Sequence, residues 1–395
     1  MQNLLFDLTT LDTPSRHRGS GRYVRELACG LMRVPRNELG DIRLLGLTHL
    51  SINGDFRITE DLASFSGSSS VPVPGARNHL GWAYARRLAL FRAARRVGAR
   101  AVHLGDPNAT PLLMGLTSCK TIVTCHDAIP TRFPSHYFGW ADGGEWLGAA
   151  IERRRFQSAD LVVAISEATR RDAIDLLGVE PERLSKVYNG IDVERWAADP
   201  GSRCRSVLER LGIGARAFML YVGGFHWHKN VEGMVAGIAH ARATGLDVEL
   251  VWAGKLTSEQ AAFVREVANR AGAASALRLV GYVSDEDLSC LYRAALGHVL
   301  VSRSEGFGLT IVEAMASGCP VVTTSAGSLA EVAGDAALEV DPEDAVAIGG
   351  AFLRLAEDGA LRENLVTRGR LRAASFDLHV QARAMTALYR RFLNT

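Results

Sequence analysis

With 395 residues the chain exceeds what one hydrophobic core organises, and two domains of roughly 150–200 residues each are expected. Its 47% hydrophobic and 22% charged residues are ordinary for a globular protein, and a net charge of +2 gives no reason to expect nucleic acid as a partner. Six scattered cysteines without a CxxC argue for a reducing compartment and against a zinc site; no basic segment precedes the first apolar residues, and no run approaches the roughly 18 apolar residues of a membrane span, so a cytoplasmic protein is expected.

In chain order, the first half reads as strands at 3–8, 42–48, 101–104, 121–127 and 161–166, with helices at 21–33, 80–97, 141–157 and 167–177. Short continuous apolar runs separated by helical patterns indicate parallel sheets covered on both faces. The stretch 189–206 is rich in Gly, Pro, Asp and Ser and reads as a linker. The pattern then restarts, with strands at 217–224, 247–254, 277–283, 297–302 and 320–325 and helices near 230–244, 258–271, 285–295 and 309–317. The expected fold is α/β, with two Rossmann-like doubly wound domains, 1–195 and 196–375, facing each other across a cleft bordered by the carboxyl ends of their strands. The last helical stretch, 376–395, either closes the second domain or crosses back to the first.

The segment SEGFGLTIVEAMASG (304–318) places one acid before a glycine turn and a second inside the helix that follows. Gly306 and Gly308 permit positive φ and close backbone approach, and a helix starting near Leu309 presents free N–H groups suited to phosphate. Glu305 then lies on the turn. Glu313, about one helical turn in, is suited to accept two hydrogen bonds from a ribose diol. Two acceptors flanking an anion site fit a diphosphate with hydroxylated rings at both ends, a nucleotide sugar. Taken alone, an acid pair at this spacing reads more simply as a solvated loop acid and an early-helix acid.

The surrounding residues add to it. The block 302–344 resembles the donor-site signature of retaining glycosyltransferase family 4, of GT-B architecture. YVGGFHWHKN (221–230), VGYVSDEDLSCLY (280–292), ISEATRRD (165–172), VYNGID (187–192), VTCHDAIPTRFPSHY (123–137) and GSGRYVRELACGL (19–31) resemble further blocks of that family in the same order. The first-domain blocks are most similar to bacterial mannosyl- and rhamnosyl-type enzymes of surface polysaccharide or lipid-linked glycan assembly. The resemblance implies that Glu305 bonds the donor sugar, that Phe307, Gly308 and Leu309 line sugar and diphosphate through their backbone, and that Thr310 adds a phosphate contact. It implies that Glu313 holds the ribose, and that Lys229 balances the leaving diphosphate, charge that develops in the transition state. Val283 and Asp285 fall in the stretch that meets the nucleobase. Many relatives pair the lysine with an arginine where this chain has Gly224, so His226, His228 or Arg303 is left to complete the cationic clamp.

In the first half, Gly19 and Gly21 of GSGRY permit a tight turn between the first strand and first helix, whose N-terminus, with Arg22, faces diphosphate or acceptor. His126 and Asp127 end the fourth strand. The resemblance brings His126 to the donor sugar, without making it a general base, because front-face substitution passes the acceptor proton to the leaving phosphate. A double displacement is the competing scheme, with Glu305 or Asp127 as nucleophile. Neither glycine turn carries the dinucleotide fingerprint of a dehydrogenase. No metal or other cofactor is expected beyond the nucleotide-diphosphate sugar itself as co-substrate.

Residues 77–100 carry seven arginines and no acid. On a helical wheel Arg92, Arg95 and Arg96 share one face, and Leu90, Ala94 and Val97 another. The helix from Arg86 to Arg100 is therefore either a solvated face or a peripheral contact with an anionic membrane. The expected activity is transfer of a hexose, mannose from GDP-mannose in the first instance, to a glycan or lipid-linked acceptor. A UDP- or dTDP-sugar donor, a small-molecule acceptor, a nucleotide-sugar epimerase and a non-turning-over sensor are the alternatives.

Overall fold

The computed structural model describes residues 1–49, 55–63, 79–106, 119–139 and 144–394. Arg77 and residues 141–143 of the helical stretch 141–157 lie outside the described residues. The chain forms two compact units, Met1–Ile191 with Asp377–Thr395, and Asp192–Phe376.

The first unit is built on seven strands: β1 (Gln2–Asp7), β2 (Ile42–Thr48), β3 (Arg57–Thr59), β4 (Ala99–Leu104), β5 (Lys120–Cys125), β6 (Leu161–Ala164) and β7 (Leu184–Lys186). They lie in the order β3-β2-β1-β4-β5-β6-β7, parallel throughout except for the antiparallel edge pair β2–β3. The central strands are apolar on both faces because helices cover both, and all four residues of β6 are buried. The two edge strands β3 and β7 went unread in the sequence. Each has three residues, half-buried or exposed, too short and too polar to stand out as an apolar run.

The order of the strands reverses direction between β1 and β4, and polar side chains converge there. Asp7 and Arg86 form a fully buried ion pair, with the Asp7 carboxylate also accepting from Thr9 N–H and Oγ1. On β4, His103 is buried between Tyr389 (2.6 Å) of the C-terminal helix Leu378–Leu393 and Thr124 (2.9 Å), and Tyr23 reaches the same threonine at 3.0 Å. Burial pushes the His103 pKa down to about 3, so a neutral imidazole completes this core network.

The second unit holds six parallel strands, β8 (Ala217–Val222), β9 (Val248–Ala253), β10 (Leu277–Gly281), β11 (Gly297–Leu300), β12 (Val321–Thr323) and β13 (Leu338–Glu339), in the order β10-β9-β8-β11-β12-β13. Its order reverses between β8 and β11. The loops after these two strands, 223–230 and 301–308, are therefore neighbours although some 70 residues separate them in sequence. Inside 189–206, Asp192 caps a short helix, Val193–Ala197, that buries Trp196. Two long helices, Ala345–Glu357 and Gly359–Ala374, complete this unit.

Two expectations need correction. GSGRY is not a turn. The helix Gly19–Met32 already begins at Gly19, and two 3-10 turns, Thr9–Asp12 and Pro14–His17, connect it to β1. Neither Gly19 nor Gly21 has positive φ. Gly21 is instead a packing glycine, since a Cβ there would stand 2.3 Å from the Ser15 carbonyl oxygen. Second, Arg86 is not part of an exposed basic face, because the ion pair with Asp7 takes it into the core. Arg92, Arg95, Arg96 and Arg100 are exposed, while Leu90 and Ala94 pack into the core as the wheel requires.

Candidate functional site

The loops after β8 and β11 are stitched together before any ligand is considered. Asn230 takes up a left-handed backbone (φ 56°), caps the helix Val231–Ala243 through Oδ1, and donates from Nδ2 to Val301 O at 3.0 Å and Pro342 O at 2.6 Å. Arg303 N–H donates to His228 O at 2.7 Å, and its guanidinium donates to Trp227 O at 3.2 Å and lies over the Trp227 ring. A chain that pins two loops this way has restricted Lys229 and Glu305 to a narrow range of positions.

Those two residues meet directly. Lys229 Nζ donates to Glu305 Oε1 at 2.6 Å, and Ser302 Oγ donates to the same oxygen at 2.6 Å. Burial alone would raise the Glu305 carboxyl, but the Lys229 ammonium and the hydrogen bonds from Lys229 and Ser302 outweigh it and hold the carboxyl below its ordinary range. The Glu305 backbone is clasped as well. Ser328 donates to Glu305 O from both N–H and Oγ, each at 3.1 Å, and Gly327 (φ +64°) approaches so closely that a Cβ would stand 2.4 Å from that carbonyl. Glu305 Oε2 has no partner among the described residues.

The helix Leu309–Ala316 starts after Gly308, which has φ +95° and offers no side-chain cap; Ile311 N–H turns back to Gly308 O at 2.9 Å, and the N–H groups of Leu309 and Thr310 are left to a ligand or to water. Gly306, expected to share this freedom, does not have positive φ. Phe307 turns its ring into the core against Phe376. Thr310 is engaged inward: His298 donates through Nδ1 to Leu220 O (2.9 Å), which leaves Nε2 to accept from Thr310 Oγ1 (3.2 Å). Burial lowers the His298 pKa to about 4 and keeps this ring neutral. The Thr310 hydroxyl proton is thus spent on the histidine, and its backbone N–H is the group left for phosphate. Glu313 is buried on the same helix, and Tyr292 donates to its Oε2 at 3.2 Å.

Val283 is half-buried ahead of the helix Asp285–Ala294, and Asp285 pairs with Arg195 at 3.4 Å. Gly224 is half-buried, its carbonyl accepts from Tyr221 OH at 2.9 Å, and no side chain from that position supplies a cation. Two of the three substitutes fall short. Burial lowers the His228 pKa to about 4, so that ring carries no charge at neutral pH, and Arg303 is paired with Glu343 at 2.7 Å. Lys229 is the cation that contacts Glu305.

In the first unit, His126 Nε2 donates to Gly105 O at 2.7 Å and its ring meets the edge of Tyr23, which leaves Nδ1 as the basic nitrogen. Asp127 Oδ1 accepts from Ile129 N–H at 3.0 Å in a turn that aims the following segment. Both line a small enclosed pocket with Thr131, Glu152, Phe156 and Leu177. Burial raises the Glu152 carboxyl against its partner Arg155, a perturbed acid that sequence reasoning passed over. Gly19 is exposed and Arg22 half-buried on the helix Gly19–Met32. Among the described residues no group of three or more His, Cys, Asp or Glu is placed to hold a metal ion.

Ser302, Ser328, Gly327 and Asn230 are the functional candidates missed in the sequence. Asn230 carried a readable signal, a helix-capping residue directly before a helical run. Ser302 lies only three residues before Glu305, whereas Gly327 and Ser328 hold Glu305 from another loop, which no local pattern reports.

Comparison with known proteins matches residues 17–195 to the glycosyltransferase family 4 model and residues 209–372 to the glycosyl transferases group 1 model. O-antigen chain mannosyltransferase B of Escherichia coli is 32% identical over 220 residues, covering 55% of this chain and 57% of that protein. The serotype-specific mannosyltransferase WbdA of Escherichia coli is 24% identical over 396 residues, covering 95% of this chain and 46% of that protein. The chain thus spans about half the length of these curated relatives. Among solved structures, Anabaena Alr3699/HepE in complex with UDP and glucose superposes with a TM-score of 0.72 at 16% identity, covering 99% of this chain and 100% of that one, a likeness of fold.

Proposed function

The chain belongs to the group 1 glycosyltransferases, with a family 4 glycosyltransferase domain in its first half and a GT-B fold, and from that premise we propose that it transfers mannose from GDP-mannose to a glycan or lipid-linked acceptor with retention of configuration. The observation that carries the reading is the contact of Lys229 with Glu305 beside the uncapped start of the helix Leu309–Ala316. An ammonium and a set of helix N–H groups meet a diphosphate, and a carboxylate with one open oxygen meets sugar hydroxyls. The mannosyltransferase names of both Escherichia coli relatives support the sugar.

In the reaction, the bond from sugar C1 to the diphosphate oxygen breaks while the acceptor oxygen bonds C1 on the same face. The acceptor proton passes to the departing phosphate oxygen, so no protein base is consumed. Lys229 and the helix N–H groups stabilise charge that grows on the leaving group. Glu313, Val283 and Asp285 hold the nucleoside, and Gly306, Phe307, Gly308, Leu309 and Thr310 present backbone to sugar and phosphate. His126, with Asp127 and Arg22, serves the sugar and acceptor from the first domain. The reaction proceeds without a metal ion, and the protein works in the cytoplasm, with the arginine face touching the membrane surface.

A UDP-sugar donor is the second reading, favoured by the UDP and glucose bound in the Anabaena structure. A thermal-shift screen across GDP-, UDP-, dTDP- and ADP-sugars separates the two, because a ligand at 100 times its Kd adds about 2.7 kcal/mol of stability. Stabilisation by GDP-mannose alone, followed by mannosyl transfer to mannose-terminated glycans, is the expected result. A new epimer of the sugar in donor-only incubations marks an epimerase instead, and donor binding without any turnover marks a sensor.

A further inference from the structure

Glu305 Oε1 is doubly engaged, and the two donors differ in kind. Lys229 brings a cation with two further protons to offer on a long side chain, whereas Ser302 is fully buried and its own carbonyl is held by Thr324 Oγ1 at 2.9 Å. With no diphosphate present, the Lys229 charge is neutralised by the carboxylate. A diphosphate at the helix start competes with Glu305 for that ammonium. Once Lys229 turns to it, Glu305 is left as a largely buried anion without a cation, a state that is costly unless other donors remain on the carboxylate.

We propose that Ser302 is a positioning residue for this exchange: it holds Glu305 Oε1 in place while Lys229 moves from that oxygen to the donor's diphosphate. The proposal rests on the donor site described under the proposed function. Two consequences of opposite sign follow. Removing the Ser302 hydroxyl leaves Glu305 more dependent on Lys229, so the diphosphate has to compete harder and binds more weakly. Removing the Glu305 charge releases Lys229, so the diphosphate binds more tightly even though the sugar contact is lost. A serine that merely packs the strand end predicts no link between the two.

The test is a double-mutant cycle read by calorimetric titration of GDP and of UDP into the full chain, which needs no turnover. Ser302→Ala is expected to weaken the nucleoside diphosphate that binds by about threefold to tenfold, the range set by the net worth of one typical hydrogen bond. Glu305→Gln is expected to tighten it by a similar factor of about threefold to tenfold. In the Glu305→Gln background, adding Ser302→Ala is expected to change binding by less than about twofold, because a neutral amide does not need the second donor. Equal weakening by Ser302→Ala in both backgrounds overturns the exchange and leaves Ser302 a structural residue. Failure of the wild-type chain to bind either nucleoside diphosphate overturns the donor-site reading, and this proposal with it. Circular dichroism melts of each variant establish that the binding differences belong to folded protein.

Discussion

Arg86 donates through Nε to Asp7 Oδ2 at 2.9 Å, and both side chains are 1% exposed or less. The helix His79–Val97 is thereby pinned to the end of β1 by an ion pair within the core. Removing one partner of such a pair strands a charge in a medium that cannot solvate it. Arg86→Leu is therefore expected to cost about 3–5 kcal/mol, read as a fall in the urea midpoint at unchanged slope. A loss below about 1 kcal/mol would show that Asp7 finds other compensation.

The exposed arginines of the same helix behave differently. Arg92, Arg95 and Arg96 face solvent, and Arg95 lies over the Phe91 ring. The triple change to glutamine is expected to leave the urea midpoint nearly unchanged and to weaken co-sedimentation with anionic vesicles, by about 1 kcal/mol per arginine at low salt. Recovery should fall with added salt and be absent for neutral vesicles. Equal recovery of wild-type chain with anionic and neutral vesicles would remove the membrane role.

These two groups of arginines show what the sequence carries and what it does not. Helical spacing separates Arg92, Arg95 and Arg96 from Leu90 and Ala94 correctly, because the 3.6-residue period is local. It says nothing of Arg86, whose partner lies 79 residues away at the end of another strand. The parallel sheets were legible since their strands are continuous apolar runs. The edge strands β3, β7 and β13 were not, being two or three residues long. Glu305 and Lys229 each stood out by their surroundings, yet their contact across 76 residues exists because β8 and β11 flank the point where strand order reverses. Gly327 and Ser328, which grip the Glu305 backbone, belong to a third loop that no spacing rule connects to the other two.

The buried histidines set an acid limit. Burial lowers His228 and His298 to about 4 and His103 to about 3, against roughly 6.5 for the unfolded chain. The unfolded state consequently takes up protons first as pH falls. The stability these groups contribute is complete above about pH 6.5 and is lost progressively from there towards pH 4. Urea midpoints measured from pH 7.5 down to 4.5 should fall throughout that window. His298→Asn keeps a donor for the Leu220 carbonyl without a titrating ring, so its midpoint should start lower at pH 7.5 and fall less steeply. An identical slope in that variant would mean that the His298 ring is protonated in the folded protein.

Gly224 offers a direct test of the thin cationic clamp. A Cβ at this position would meet nothing nearer than a ring carbon of His226 at 3.9 Å, ordinary contact, and the backbone φ is not positive. Gly254 is the contrast, where a Cβ would stand 1.9 Å from the Gly223 carbonyl oxygen and the loop would have to shift. Gly224→Arg is therefore expected to fold with little change in melting temperature. It places a second cation beside Lys229, at the position where resembling enzymes carry an arginine. If diphosphate neutralisation limits donor binding, the variant should lower the donor KM by about tenfold, the worth of one charge-assisted hydrogen bond. The gain should shrink as salt rises, because the new guanidinium is only partly shielded from solvent. Gly224→Gln has similar reach without charge and should give no such gain. A donor KM that is unchanged in Gly224→Arg, in a protein that still melts normally, would mean that Lys229 and the helix N–H groups already saturate the charge of the leaving group.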